Sequence, residues 1–140
     1  MDKDIIKSKM ESLIRCINRI KDKKPESVEI LKKDLDIQDI ISINIERAVQ
    51  LCVDIGSHVL ADYSIPTPKT MSNVFIVLAQ NKIIDDNLAN KLAKAVGFRN
   101  IAVHSYQTIN WETVFQIITT ELEDFKQFIK EIIKLIEDWK

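Results

Sequence analysis

The sequence predicts an all-α protein built as an elongated up-and-down helical bundle. Only two glycines and three prolines occur in 140 residues, so the chain has few obligatory breaks. Apolar residues recur at spacings of three and four through most of the chain, which is the period of a helix. The hydrophobic fraction of 46% is typical of a globular protein, and no repeat or composition shift divides the chain. We therefore expect a single domain spanning residues 1–140.

The first two predicted helices carry one apolar face each. The first covers about residues 3–23 and ends before Pro25, because proline disfavours helix in the residue that precedes it. The second covers about residues 35–63, and a polar file runs beside its apolar stripe at a spacing of four. Its members are Glu46, Gln50, Asp54, His58 and Asp62. Helical neighbours at this spacing touch, so the polar file predicts a continuous polar ribbon.

The remaining elements are predicted from turn and cap residues. Residues 64–68 read as a loop, and a short helix from Ser72 to about residue 80 follows, with Ser72 as its N-cap. Another helix covers about residues 85–96, with Gly97 as its C-terminal cap. The last helix starts after the N-cap Asn110. Its apolar residues alternate spacings of four and three as far as Trp139, which predicts lengthwise packing along a neighbour.

Charge and cysteine content restrict the function classes. The net charge of −1 excludes nucleic-acid binding through bulk electrostatics, so any RNA or phosphate binding has to be local. The charged N-terminus lacks the apolar stretch of a signal peptide, and no apolar run reaches membrane-spanning length, which predicts a cytoplasmic protein. Cys16 and Cys52 fall in apolar stripes without metal-type spacing, so we expect buried free thiols.

Chemistry is concentrated in segment 99–106, with the sequence RNIAVHSY. Arginine is a permanent planar cation suited to phosphate, and histidine gives and takes protons near neutral pH. Together they suffice for metal-free RNA cleavage, in which the 2′-hydroxyl attacks the adjacent phosphorus. His104 would act as general base or acid, and Arg99 would stabilise charge on the phosphoryl oxygens. Asn100, four residues before His104, would orient the imidazole or bind a phosphate oxygen.

Geometry leaves two arrangements open for this segment. Arg99 and His104 are five residues apart, which is about 140° around an ideal helix. Either the helix begins irregularly after Gly97, or two copies of the motif meet across a dimer. Without further context, a surface arginine and histidine are more often solvated or paired than catalytic, and Tyr106 alone would be a half-buried aromatic residue.

Segment 97–106 resembles the signature of the HepT-like family within the HEPN superfamily. Segments 46–50 and 54–60 are similar to that family's second helix, and the match covers about residues 34–122. The resemblance implies a metal-independent ribonuclease toxin of a type VII toxin–antitoxin module that uses Arg99 and His104. It also implies a homodimer, no cofactor, and an MntA-like minimal nucleotidyltransferase antitoxin that transfers AMP to Tyr106.

The roles of one acidic residue and one histidine outside the motif are not decided by the sequence alone. Asp54 occupies a position where the family often has an acid facing the site, so it would support catalysis, but it could equally be a surface charge. His58 is expected to be structural, because two histidines on different helices without clustered acids are poor evidence for a metal site.

Two other functions compete with RNA cleavage. A non-catalytic helical subunit would bind nucleotide or substrate for a minimal nucleotidyltransferase and present Arg99 and Tyr106 to it. A purely structural helical adaptor is the third possibility. Only an activity assay separates the nuclease from the binding subunit.

Overall fold

Within residues 1–139, which the computed structural model describes, α-helices are joined by short turns and no strand occurs. The all-α prediction is therefore confirmed. The helices are α1 (Lys3–Lys23), α2 (Val28–Lys33), α3 (Leu35–Asp62), α4 (Met71–Gln80), α5 (Asp86–His104), α6 (Trp111–Gln116) and α7 (Leu122–Asp138). A 3₁₀ turn, Tyr106–Thr108, follows α5, and a π-helical turn, Ile117–Glu121, joins α6 to α7. None of the helices in this part of the chain is long and apolar enough to cross a bilayer.

Most helices begin at a side chain that accepts a hydrogen bond from the first helical turn. The predicted cap Asn110 accepts from the backbone N–H groups of Glu112 and Thr113. The predicted cap Ser72 is wrong, because α4 begins one residue earlier and Thr70 accepts from the N–H of Asn73. The sequence analysis missed α2, since six residues are too short for a periodic pattern. Asp34 ends α2 and also caps α3 through the N–H of Ile37.

The sequence analysis predicted that the helix before the motif ends at Gly97, and this is wrong. Helix α5 continues through this position to His104, and Gly97 does not have a positive φ. Phe98 and Ala102 on the following turn are buried against the core. Burial of that apolar face therefore outweighs the helix-breaking tendency of one glycine, which amounts to about 1 kcal/mol.

One hydrophobic cluster runs through the bundle. Helix α1 packs on α3, α4 packs on α5, and α7 contacts α1, α3 and α5. At its centre Phe75 of α4 and Phe128 of α7 meet edge to face, with ring centroids 6.0 Å apart. Cys16 and Cys52 are buried and free, as predicted. The core therefore fixes α3 and α5 relative to each other, which positions the segment that carries the chemistry.

The C-terminal helical segment follows the predicted apolar seam only in part. Leu122, Phe125 and Ile132 of α7 are buried, as the seam requires. Before the π-helical turn, however, Val114 is fully buried, while Trp111 and Phe115, with which the spacing of four and three begins, are only partly buried. A π-helical turn has a wider hydrogen-bond pattern than an α-helix, so the residues on either side of it face different directions from those of a straight helix.

Replacing each of the two glycines with alanine should change the stability of the protein in opposite directions. A Cβ at the helical Gly97 would meet nothing within 4 Å, whereas a Cβ at the buried Gly56 would lie 2.8 Å from Val74 Cγ1 and 2.9 Å from Leu78 Cδ1. We expect Gly97→Ala to raise the free energy of unfolding by about 0.5–1 kcal/mol. We expect Gly56→Ala to lower it by about 1–3 kcal/mol through overpacking. Urea titrations at one protein concentration measure both, and a less stable Gly97→Ala protein would contradict the continuous helix.

Candidate functional site

The polar file predicted on α3 forms one side of the candidate site. Gln50 Nε2 donates to Asp54 Oδ1 at 2.9 Å, and Asp54 Oδ2 lies 3.5 Å from Lys9 Nζ of α1. Asp54 is therefore held by an amide on its own helix and by a cation on the neighbouring helix. His58, one turn further along α3, is half-buried.

Arg99 lies against this polar file. Its Nη2 donates to Gln50 Oε1 over a long 3.4 Å contact that joins α5 to α3. Burial raises the pKa of the Glu46 carboxyl, and the guanidinium groups of Arg99 and Arg47 oppose this rise. Both guanidinium groups therefore lie near Glu46. Gln50 is neutral, so its hydrogen bond to Arg99 does not compensate the guanidinium charge.

His104 and Asn100 lie on the exposed side of the same helix. Asn100 is one turn before His104, so the two side chains share a face, as predicted, and both are exposed. His104 is the last residue of α5. Because α5 is regular from Arg99 to His104, their side chains diverge by about 140° and lie about 7.5 Å apart along the axis. The irregular helix start after Gly97 is thus wrong, and one chain does not aim both side chains at one atom.

Tyr106 lies beyond the end of α5 and points toward the N-terminal half of α3. Its hydroxyl donates to Asp39 Oδ1 at 2.6 Å, and its ring meets Trp111 edge to face at 6.1 Å. Burial and the Asp39 carboxylate raise the pKa of Tyr106 to about 12, although a hydrogen bond with Ser42 opposes this rise. The phenol is therefore neutral at physiological pH. Asp39 is placed to accept its proton if the oxygen attacks an electrophile.

The sequence analysis did not find Asp39, Ser42 or the contact between Gln50 and Arg99. With Glu46 and Gln50, Asp39 and Ser42 lie on one face of α3, at steps of three and four. Tyr106 contacts one end of this face and Arg99 contacts a point about 16 Å further along it. The spacing along α3 could have shown the common face. Nothing in the sequence shows which side chains of α5 and the following turn cover it.

Among residues 1–139, no three His, Cys, Asp or Glu side chains are grouped closely enough to hold a metal ion. Beside the carboxylates of Asp39, Glu46 and Asp54, the site offers a guanidinium, an imidazole, two amides and a phenol. These are suited to holding a phosphodiester and moving a proton.

Comparison with known proteins identifies relatives along nearly the whole chain. The model of the "Ribonuclease HepT-like" family matches residues 13–132. The mRNA nuclease HepT of Shewanella oneidensis is 38% identical over 131 residues, which cover 94% of this chain and 97% of that protein. The tRNA nuclease HepT of Aphanizomenon flos-aquae is 26% identical over 128 residues, which cover 91% of this chain and 87% of that protein.

Solved structures agree with this assignment. A tri-AMPylated HEPN toxin of Shewanella oneidensis, in complex with the MNT antitoxin, superposes with a TM-score of 0.89 at 36% identity. The match covers 96% of this chain and 99% of that toxin. A toxin–antitoxin structure with AMP-PNP gives the same TM-score and identity over 94% of this chain and 99% of that chain. The chain described here therefore belongs to the HepT-like ribonuclease family.

Proposed function

We propose that this protein is a metal-independent endoribonuclease toxin of a type VII toxin–antitoxin module. Arg99, His104 and Asn100 carry the reaction. The observation that supports this most directly is the position of Arg99 against the neutral amide of Gln50, with a partly buried guanidinium that no carboxylate pairs with among residues 1–139. Such a guanidinium is available to a phosphate.

In the proposed reaction His104 removes the proton from a ribose 2′-hydroxyl, whose oxygen attacks the adjacent phosphorus. The bond to the 5′-oxygen breaks, and a proton donor completes that leaving group, which gives a 2′,3′-cyclic phosphate and a free 5′-hydroxyl. Arg99 stabilises the additional negative charge on the phosphoryl oxygens. Asn100 orients the imidazole or binds a phosphate oxygen. Asp54 supports the site indirectly, because it fixes the amide of Gln50 on which Arg99 rests.

The active form in this proposal is a homodimer. Two copies would supply two His104 side chains, one as base and one as acid, and would resolve the divergence of Arg99 and His104 on one helix. Ile101 and Val103 within the motif are 45% and 46% exposed, which leaves apolar surface for a second copy. The second partner is an MntA-like minimal nucleotidyltransferase antitoxin that transfers AMP to Tyr106. This rests on the related toxin that is AMPylated and bound to its MNT antitoxin.

The test is incubation of the purified protein with total RNA, with and without EDTA. Because Arg99 and His104 supply charge stabilisation and proton transfer, we expect cleavage at similar rates under both conditions, with cyclic phosphate at the new 3′ ends. Cleavage that EDTA abolishes and Mg²⁺ restores would contradict the proposed chemistry. Binding of the antitoxin without any RNA cleavage would instead favour the non-catalytic subunit.

A further inference from the structure

A groove of about 620 Å³ lies between α1 and α3, next to the candidate site. Arg15 and Arg19 of α1 and Arg47 of α3 line it, and no acidic residue does. Ile43 and Leu51 provide part of its apolar surface. A cationic groove is notable in a chain whose net charge is −1, because it concentrates positive potential that the protein as a whole lacks.

The arginines of this groove have no carboxylate partners among the described residues. The ion pairs found there use lysines or the N-terminal amine, and none includes an arginine, although the chain has 21 acidic residues. Arg15 donates to the Ser12 hydroxyl at 2.9 Å, which leaves its charge uncompensated. Arg15, Arg19 and Arg47 are all exposed to solvent. Three guanidinium groups that form no ion pair and share one groove can all contact an anionic chain.

The groove opens directly onto the candidate site. Gln50 lines the groove, and its Oε1 accepts the hydrogen bond from Arg99. Arg47 and Arg99 both lie near Glu46, because both guanidinium groups act on that carboxyl. The cationic surface therefore continues from α1 across α3 to the arginine of the motif. Arg15 and Arg19 are one turn apart, so their side chains are about 6 Å apart along α1.

We propose that this groove binds the phosphodiester backbone of single-stranded RNA beside the bond that is cut. The inference rests on the proposed nuclease function and extends it to the path of the substrate. A single strand fits this lining better than a duplex, because its unpaired bases are free to contact the apolar surface of Ile43 and Leu51. The guanidinium groups contact phosphates, and the apolar surface contacts bases without reading their identity, so this groove contributes affinity more than sequence preference.

The test compares RNA binding by two variants that lose the same charge. Both carry His104→Ala so that RNA stays intact. One adds Arg15→Gln, Arg19→Gln and Arg47→Gln, and the control adds Lys82→Gln, Lys130→Gln and Lys134→Gln, which lie on α7 and on the turn after α4. Fluorescence anisotropy with a labelled single-stranded RNA measures affinity across a salt series. The slope of log K against log[salt] falls by about 0.7 for each phosphate contact that is lost. The slope of the arginine variant should therefore be smaller by about 2 than that of the control, and its affinity should be on the order of 50-fold weaker at about 0.15 M salt.

The same arginine substitutions in the protein with intact His104 should raise KM for RNA and leave kcat nearly unchanged, because they lie outside the reacting groups. Equal affinity and equal salt slope in the arginine and lysine variants would overturn the proposal, and so would a folded arginine variant that has become monomeric, since the groove would then hold a second copy. Failure of the wild-type protein to cut RNA would contradict the proposed nuclease function. The binding comparison would still decide whether the groove holds RNA.

Discussion

Replacing His104 with alanine should lower the rate of RNA cleavage by a factor of about 10² to 10⁴, the range expected for loss of a general acid or base. Arg99→Ala should lower it by about 10² to 10³, because the charge that develops on the phosphoryl oxygens loses its cation. Both side chains contribute little to the core, since His104 is exposed and Arg99 makes one long contact to Gln50. Helical circular dichroism should therefore stay unchanged in both variants.

The matched control is Lys94→Ala, which removes an exposed cation from the same helix. It should cut RNA at nearly the rate of wild type. A His104→Ala protein that is as active as wild type would show that the imidazole has no role in the reaction. Light scattering should give a dimer for all three proteins.

Mixing the two inactive variants tests the dimer at the level of the site. If Arg99 of one copy works with His104 of the other, a heterodimer of the Arg99→Ala and His104→Ala proteins keeps one complete pair. Co-refolding the two variants should then restore a measurable part of the activity, whereas each variant refolded alone stays inactive. No recovery in a verified heterodimer would contradict a site that works with one Arg99 and one His104 from different copies.

Co-expression with an active minimal nucleotidyltransferase should give protein that is heavier by whole AMP units and no longer cuts RNA. The added phosphate would repel the RNA backbone, and the adenosine would block access sterically. The units should map to the peptide that contains Tyr106. Tyr106→Phe should keep its nuclease activity and resist the partner, because the ring remains and only the acceptor oxygen is lost. Intact-mass spectra without AMP after co-expression would leave complex formation as the means of inhibition.

Tyr63 provides the control for this experiment. The two tyrosines are almost equally exposed, at 41% for Tyr63 and 39% for Tyr106. Tyr63 packs edge to face on Trp139 at 5.1 Å, at the opposite end of α3 from Asp39. Tyr63→Phe should therefore leave both the nuclease activity and its inactivation by the partner unchanged. Loss of inactivation in Tyr63→Phe would show that the modified tyrosine had been misassigned.

The hydrogen bond to Asp39 indicates how AMP transfer would act on the protein itself. Unmodified Tyr106 donates to the Asp39 carboxylate and stays against α3. A phosphodiester on the same oxygen has no hydrogen to donate and carries a negative charge toward Asp39 and Glu46. Like charges at this distance repel, so we expect the modified side chain to leave α3.

Much of the fold was predictable because the apolar spacing in the sequence agrees with the buried faces of α1 and α3. The file of Glu46, Gln50 and Asp54 could be read from its spacing alone. The end of α5 could not be predicted in this way. A glycine marks the end of a helix only where the buried face also ends, and here Phe98 and Ala102 extend that face.

The sequence analysis selected the candidate site residues by their type, but it did not find the side chains that they contact. Arg99, His104 and Tyr106 are scarce residue types that occur together in one short segment, so a single sequence is enough to select them as candidates. Asp39 is 67 residues from Tyr106, and Gln50 is 49 residues from Arg99. Such pairs depend on how α5 and the turn after it lie on α3, which is decided by packing of the whole core.

Because Arg99, Asn100 and His104 all lie within one uninterrupted helix, the site has no hinge of its own. A lid or a mobile loop lets an enzyme rest in an open, inactive state and close on its substrate. Helix α5 is anchored by its cap at Asp85 and by the buried residues Phe98 and Ala102, so its motif is set as soon as the bundle has folded. If this segment carries the proposed cleavage, the helix itself supplies no open and closed states. The off state would then come from separation of the two copies, from a covering partner, or from a covalent group that stays until it is removed.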